Sequence, residues 1–149
     1  MIAVFVVRHT ANGGHEFLQL RRAAGEWMAG TWQIVRGTIE PGETAVAAAR
    51  RELLEETALS PIEFYALCSV ESFFLPARDA ILHVPVFCAF VDPAHPVVLN
   101  DEHDACRWVP AAQMAAAITW ASERAVLQEV LDDILGNGLA KDYLSIDVQ

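Results

Sequence analysis

The sequence predicts a mixed α/β fold in which one β-sheet lies between helices. Strand-like segments come first, a helix follows, and more strands precede a final helical region, an order typical of such layered folds. Apolar residues make up 54% of the chain, which is enough to form one buried core at a common domain size. No repeat, linker or low-complexity stretch divides the sequence. We therefore expect a single domain over residues 1–149.

The first part of the chain predicts three strands and a helix. Ile2 to Val7 is rich in β-branched residues, as a buried strand would be, and Glu16 to Arg21 alternates like a hairpin partner. Trp32 to Val35 is a short strand after a glycine-containing loop. Thr44 is a suitable N-cap for a helix from Ala45 to Thr57, which is a run of good helix formers.

The second part predicts three more strands and a helical end. Ile62 to Phe74 and Ile81 to Val91 are strand-like and are separated by a proline-centred loop. A strand fragment from Arg107 to Val109 follows an acidic loop. From Ala111 the pattern is helical until the glycines at Gly136 and beyond. Together these segments predict a sheet with helical layers on both sides.

The charge balance limits the classes of partner. The formal net charge is −10, and sequence-independent binding to a nucleic-acid backbone requires basic surfaces. We therefore expect no nucleic-acid polymer as partner. A small phosphorylated substrate stays compatible with the acidity, because a divalent cation can bridge carboxylates to phosphates.

The sequence also predicts a cytoplasmic protein without membrane contact. No apolar run approaches the roughly 18 residues that span a bilayer, and the opening stretch MIAVFVVRHT is too short for the apolar region of a signal peptide. Cys68, Cys88 and Cys106 are widely spaced without a CxxC pair. This pattern is typical of free thiols in a reducing compartment.

Glu52, Glu55 and Glu56 form an acidic cluster near the end of the predicted helix. Because a helix advances about 100° per residue, the three carboxylates share one side, while Val46, Ala49 and Leu53 lie on a stripe facing the sheet. The helix dipole disfavours anions at this end, so the cluster breaks a local rule, as functional sites often do. Oxygen ligands suit Mg²⁺ or Mn²⁺. The alternative is a solvated acidic face.

A longer pattern surrounds these glutamates. Gly37 is followed after five residues by Glu43, and after seven more by Arg51-Glu-Leu-x-Glu-Glu-x-x-Leu59. This spacing resembles the Nudix box. The resemblance implies a Nudix fold, with the box as strand, loop and helix in a mixed sheet sandwiched between helices. It also implies hydrolysis of a nucleoside diphosphate linked to another group.

The resemblance assigns roles to the residues of the box. Arg51 corresponds to an arginine that orients a ligand carboxylate, with Glu43 as its partner, and it lies one helical turn before Glu55. A glutamate is expected to deprotonate or orient the attacking water. Without metal, we expect the carboxylates to repel and at least one pKa to be raised. The implied ligands of Mg²⁺ or Mn²⁺ are Gly37 through its carbonyl, Glu52, Glu55 and Glu56.

Two positions need separate treatment. The family usually has glycine where this chain has Ala58, and that glycine ends the helix in a left-handed conformation, which a Cβ disfavours by roughly 1 kcal/mol. The substitution questions the helix terminus rather than the metal ligands. Outside the box, Glu102 lies in a segment resembling the EHxxxxWV of many Nudix hydrolases and is a candidate base or ligand; a solvated loop acid is the alternative. We expect the neighbouring His103 to cap or pack.

Four side chains are candidates for substrate binding, and each has an alternative. Arg21 is a candidate for a forked hydrogen bond to phosphate oxygens, or it only solubilises a strand end. Trp32 is a candidate for stacking on a base, or belongs to the core. Gln33 is a candidate for reading a ring edge, and Arg36 points to the substrate or to solvent.

The segment WQxVxGxxExGETA resembles, within the family, the bacterial dihydroneopterin triphosphate pyrophosphatases, also described as dATP pyrophosphohydrolases. We therefore expect a metal-dependent pyrophosphohydrolase that cleaves a nucleoside or pterin triphosphate to monophosphate and pyrophosphate. Two alternatives stay open: a diadenosine polyphosphate or nucleotide-sugar hydrolase, and an inactive nucleotide-binding module. The expected partner is a small nucleoside polyphosphate, and the sequence leaves open a homodimer.

Overall fold

The computed structural model describes residues 1–148 and places strand β1 (Ile2–His9) at the centre of an eight-stranded mixed sheet. β1 pairs antiparallel with β2 (His15–Arg22) and with β4 (Val35–Gly37), and parallel with β6 (Ala80–Val91). Residues 2–7 are all buried, as expected for an apolar strand covered on both faces. The first predicted strand and its hairpin partner are thus confirmed.

The remaining strands extend the sheet on either side of this centre. β3 (Trp32–Gln33) and β7 (His103–Pro110) both pair with β2. β5 (Pro61–Leu75) pairs with β6, and the short β8 (Ser145–Ile146) pairs with β5. The order along the main path is β3-β2-β1-β6-β5-β8. The predicted mixed sheet is therefore confirmed.

Helices cover both faces of the sheet. α1 (Ala45–Thr57) packs on one face through Ala48, Ala49 and Leu53. The opposite face carries α2 and α3, a π-helix continuing α3, and a short α4, so the predicted sandwich of a sheet between helices is confirmed. Of the helices described, none combines the length and hydropathy needed to cross a bilayer. The bounds on the second face are Ala111–Ala117 for α2, Ala121–Glu129 for α3, Val130–Leu135 for the π-helix and Lys141–Leu144 for α4.

Two predicted elements differ from the structure. The segment from Trp32 to Val35 is split, because the chain leaves β2 after Gln33 and joins β1 at Val35. The helical end is interrupted between α2 and α3, where Ile118 is extended. There the carbonyl of Ala117 accepts from Gln19, and Arg124 donates to the carbonyls of Ile118 and Thr119. Side chains thus satisfy the backbone groups that the break leaves unpaired.

The ends of α1 follow the sequence expectations. Thr44 caps the first turn, and its Oγ1 accepts a hydrogen bond of 3.1 Å from the N–H of Ala47. At the other end Ala58 is left-handed, with φ 57° and ψ 18°, and its N–H donates to the carbonyl of Leu54 at 2.8 Å. The helix therefore ends through the left-handed cap that glycine usually provides, but with an alanine in that position.

We predict that Ala58→Gly raises the free energy of unfolding by about 1 kcal/mol, because glycine adopts the left-handed conformation without the Cβ clash. Urea denaturation measures the change. The matched control is Ala47→Gly, an exposed position inside α1, which we expect to lose about 1 kcal/mol. Equal destabilisation by both substitutions contradicts the prediction.

Candidate active site

The acidic end of α1 faces the last residue of β4. A Cβ built on Gly37 would lie 1.9 Å from Cδ of Glu52, so only glycine leaves room for this carboxylate. The N–H of Thr38 donates to Oε1 of Glu52 at 3.2 Å. The box glycine therefore brings the backbone of β4 into direct contact with the helix carboxylate, which places the Gly37 backbone beside Glu52.

Arg51 holds the loop before α1 and two of the helix glutamates together. Its Nε and Nη2 donate to the two oxygens of Glu43, both at 3.0 Å, in a bidentate pair. Its Nη1 donates to Glu52 at 2.9 Å and Glu55 at 3.0 Å, and Nη2 also donates to the carbonyl of Thr38 at 2.9 Å. The hydrogen bond from Arg51 lowers the pKa of Glu43. The expected pairings of Arg51 with Glu43 and Glu55 are both present.

Glu56 differs from the other two helix glutamates because it points into the protein. It is 1% exposed, and its Oε2 has no hydrogen-bond partner within residues 1–148. Burial raises its pKa to about 9, and the charges of Glu52 and Glu102 add to this effect, against Arg22 and a backbone hydrogen bond from Arg36. The expectation of a raised carboxyl pKa in the metal-free cluster is met at this residue.

The carboxylates do not form a ready-made metal cage. Within residues 1–148 no group of three or more His, Cys, Asp or Glu side chains is arranged to hold a metal ion. Arg51 occupies one oxygen each of Glu52 and Glu55, and the side chain of Glu55 is 55% exposed. The convergence predicted from helix periodicity is therefore partial. The donor set nevertheless fits a hard divalent cation, because it offers only oxygens and leaves a buried oxygen of Glu56 unpartnered.

Strands β2 and β7 supply charged and polar groups next to Glu56. Arg22 donates from Nη1 to Glu102 at 2.9 Å and from Nη2 to Glu26 at 3.0 Å. The effect of Glu102 on the pKa of Glu56 places its charge in the neighbourhood of the cluster. The carboxylate of Glu102 is thus close enough to act electrostatically on the acidic end of α1, and Arg22 holds one of its oxygens. Its role as base or ligand stays a prediction.

His103 and Gln33 form a neutral pair on the same side. Burial lowers the pKa of His103, and the nearby charge of Arg22 adds to this effect, so the ring is uncharged at neutral pH. Nε2 of Gln33 donates to Nε2 of His103 at 3.1 Å, and the histidine Nδ1 faces Oδ1 of Asn100 at 3.3 Å. The expectation that His103 packs is met, and the amide nitrogen of Gln33 is engaged with it.

Arg21 and Trp32 lie on the face of the sheet opposite α1. Neighbouring residues of a strand point to opposite faces, so Arg22 reaches the glutamates and Arg21 does not. Arg21 pairs with Asp104 at 2.6 Å, and its guanidinium lies 5.8 Å from the ring of Trp32. Arg107 stacks closer on the same ring, at 4.2 Å. Trp32 is therefore a half-buried platform between two cations rather than a core residue.

Arg36 is in a buried ion-pair network on that opposite face. Its Nη2 donates to Glu71 at 2.6 Å and to Glu123 at 2.9 Å, and the two glutamates are 2% and 3% exposed. Ser122 donates to the other oxygen of Glu71 at 2.9 Å. Burial raises the pKa of Glu123 although Arg36 opposes this shift. The guanidinium is thus turned away from solvent, which corrects that alternative for Arg36, while a contact with substrate stays a prediction.

Sequence reasoning missed the partners of Arg36 and Trp32. Glu71 is 35 residues from Arg36, and Glu123 is 87 residues away, so no local spacing links them. The sequence pattern predicts for Arg107 only that it begins a strand fragment. For Arg22 a signal exists: it follows Leu18 and Leu20 at a period of two, and both of these pack on the α1 face.

Comparison with known proteins gives one family and one curated relative. A model of the NUDIX domain matches residues 1–130. An octanoyltransferase from Myxococcus xanthus is 37% identical over 82 residues, which cover 54% of this chain but only 23% of that relative's length.

Two solved structures illustrate the similarity of fold. A C. elegans Ap4A hydrolase has a TM-score of 0.74 at 23% identity, covering 91% of this chain and 96% of its own. The E. coli dihydroneopterin triphosphate pyrophosphohydrolase has a TM-score of 0.67 at 23% identity, covering 92% and 96%. At this identity the likeness concerns the fold.

We predict that Arg36→Met lowers the free energy of unfolding by about 3–5 kcal/mol, because two buried carboxylates lose their counter-ion. Glu123→Gln should cost much less, since burial already favours the neutral form of this carboxyl group. Urea denaturation at pH 7 measures both, with the exposed Arg78→Met as control. An Arg36→Met variant as stable as that control argues against the network.

The raised pKa of Glu56 predicts a pH dependence in chelator-treated protein. The pKa of Glu56 in the folded protein lies above its ordinary value. The contribution of its protonated form to the free energy of unfolding is therefore complete below a pH of about 4.5 and is lost as the pH rises toward 9. Glu56→Gln imitates the protonated form and should become more stable than the unmodified protein as the pH rises. The measurement is the difference in unfolding free energy between the two proteins from pH 5 to pH 9. A constant difference contradicts the assignment.

Proposed function

The chain belongs to the NUDIX domain family, and we propose that it hydrolyses phosphoric anhydride bonds and cleaves a nucleoside or pterin triphosphate to the monophosphate and pyrophosphate. The observation that carries this proposal is Glu56. Within residues 1–148 its buried carboxyl group keeps one oxygen without a hydrogen-bond partner. The charges of Glu52 and Glu102 act on this carboxyl group, and Glu52 lies against Gly37. An ionised carboxylate buried without a charged partner raises the free energy of the folded state, and a bound cation would supply that partner.

Hydrolases of this family generally use divalent metal ions, and we propose Mg²⁺ or Mn²⁺ for this chain. When bound, the cation would neutralise phosphate charge and make a water more acidic. The proposed ligands provide only oxygen atoms, which favours these ions over zinc. They are the carbonyl of Gly37 and the carboxylates of Glu52, Glu55 and Glu56.

Arg51 is proposed to orient the ligand carboxylates. The bidentate pair with Glu43 fixes the guanidinium, so its remaining donor holds Glu52 and Glu55 on the side of the helix that faces β4. A charge fixed in this way also reduces the repulsion between the glutamates. Loss of Arg51 is therefore expected to displace the carboxylates of Glu52 and Glu55.

Glu102 is the proposed general base. It is half exposed, so a water can reach it, and the hydrogen bond from Arg22 keeps its carboxylate in place. An ionised carboxylate beside the cluster is suited to take a proton from the attacking water. Glu56 is a weaker candidate, because its carboxyl is buried and its raised pKa keeps it protonated in the absence of metal.

Of the candidate substrate contacts, Gln33 lies on the side of the glutamates, whereas Arg21 and Trp32 lie on the opposite face and are retained as a separate surface for the heterocycle. Arg36 stays a weaker candidate, because its guanidinium is bound by Glu71 and Glu123. The indole of Trp32 offers a flat surface for a pterin or purine ring. The cations on it would favour a ring that carries a phosphate chain. The substrate is thus proposed to be a small molecule with an aromatic heterocycle.

We further propose that the whole chain, residues 1–149, acts as one domain. The residues after the matched region support this, because Leu144 packs in the core and β8 pairs with β5. A cytoplasmic location is proposed as well, in keeping with three free cysteines, of which Cys68 and Cys106 are exposed. Light scattering of the purified protein decides between monomer and homodimer.

We predict that Glu55→Gln and Glu56→Gln each lower kcat for the best triphosphate substrate at least about a hundredfold, because each removes a negative ligand charge. The assay uses Mg²⁺ with dNTPs, dihydroneopterin triphosphate, diadenosine polyphosphates and ADP-ribose, and the products are resolved by chromatography. The matched control is Glu40→Gln, which changes an exposed glutamate in the loop between β4 and α1. This variant should keep activity within about twofold.

Two results would contradict the proposed reaction. Release of orthophosphate rather than pyrophosphate from the triphosphate rules out the bond assignment. Turnover of diadenosine polyphosphates or ADP-ribose with none of the triphosphates transfers the chain to the alternative substrate class. Full activity of Glu55→Gln removes the metal-ligand role of that residue while leaving the reaction intact.

A further inference from the structure

A second polar cavity lies at the far end of the sheet. It has a volume of about 120 Å³ and is lined by His9 at the end of β1, His15 at the start of β2, Asn137 and Lys141. The rest of its wall is formed by Glu63, Phe90, Ile134 and Leu135. His9 and His15 are directly opposite each other in the hairpin. Gly37 pairs with Ile2, at the other end of β1, so at about 3.3 Å per residue the cavity lies roughly 23 Å along the strand from the acidic site.

The two imidazoles are positioned by packing rather than by hydrogen bonds. Their ring centroids are 4.9 Å apart, and the ring of His9 stacks on Phe90 at 5.1 Å. No hydrogen bond joins either ring to another protein group within residues 1–148. Their nitrogens are therefore available to a ligand, while the aromatic contact fixes the direction of the rings.

Lys141 and Asn137 add donors to the same cavity. Lys141 is the single lysine of the chain, and its Nζ donates to Oδ1 of Asn137 at 2.8 Å. Because this bond uses the amide oxygen, the amide nitrogen of Asn137 keeps its two N–H donors. In the described part of the chain, Lys141 forms no salt bridge. The ammonium group thus retains donors for a further acceptor.

Three basic groups and two acids lie around the cavity. Burial lowers the pKa of His15, and the charges of His9 and Lys141 add to that effect, so protonation of His15 is disfavoured in the absence of an anion. The opposing acids are Glu63, which accepts from Tyr65 at 2.6 Å, and Asp142 on α4. The buried thiol of Cys88 has a raised pKa, through burial above all, and is neutral. A bound anion would relieve the repulsion between the basic groups.

We propose that this cavity binds a phosphoryl-type oxoanion, held by His9, His15, Asn137 and Lys141. The donor set matches an acceptor with several oxygens, since two imidazoles, an amide and an ammonium line one small volume. A transition metal fits less well, because the ammonium of Lys141 shares the cavity and the described residues contain no metal-ligand group of three.

The experiment measures anion binding with chelator present and without substrate, so it does not depend on the proposed hydrolysis. Inorganic phosphate is titrated at constant ionic strength at pH 6 and pH 8, with calorimetry for affinity and NMR of the histidine ring protons for location. We expect the His9 and His15 signals to shift and binding to be stronger at pH 6, where imidazolium forms more readily. A parallel titration with a nucleoside monophosphate distinguishes a free anion from a phosphoryl group on a larger molecule.

Variants test the assignment to this cavity. Lys141→Gln and His15→Gln should each weaken phosphate binding about tenfold or more, whereas Lys141→Arg should retain it. Arg78→Gln removes one exposed charge elsewhere and is the matched control. The proposal is overturned if His9 and His15 do not respond to either phosphate compound, or if Lys141→Gln behaves like Arg78→Gln. A response to Zn²⁺ alone would likewise overturn it in favour of a metal site.

Discussion

The acidic end of α1 depends on one guanidinium. Arg51 reaches two carboxylates of its own helix, the carboxylate of Glu43 and the carbonyl of Thr38. Helix, loop and the segment after β4 are thereby fixed relative to each other. Without this cation, three glutamates at the negative end of a helix dipole would repel in a chain of net charge −10. The arrangement is stable because Arg51 binds the carboxylates of Glu43, Glu52 and Glu55. Glu56 adds no charge, since its buried carboxyl group is protonated.

Local sequence patterns were sufficient for α1 and its surroundings. The bounds of the helix, its Thr44 cap, its buried stripe and the partners of Arg51 all follow from residues within one or two turns of each other. The fold class followed from the order of the elements. These features are predictable because their causes are close together in the chain.

The features that escaped prediction depend on distant residues. The sequence leaves open whether Arg36 points to substrate or to solvent, because its partners Glu71 and Glu123 belong to the distant elements β5 and α3. The split of the third strand follows from a change of partner from β2 to β1, which no property of Ile34 announces. The alternation of a strand is informative only once its faces are assigned, since the position of α1 decides that Arg22, and not its neighbour Arg21, lies on the side of the glutamates.

The alanine at position 58 also says something about what a family motif records. A left-handed residue with a Cβ closes α1 through the backbone bond that glycine would make, so this position of the motif expresses a conformational preference rather than a chemical requirement. The glutamates and Gly37 are different, because a substitution there removes a charge or collides with Glu52. Searches that give every motif position equal weight would therefore discard chains like this one, which keeps Gly37 and all three helix glutamates and departs from the motif at Ala58.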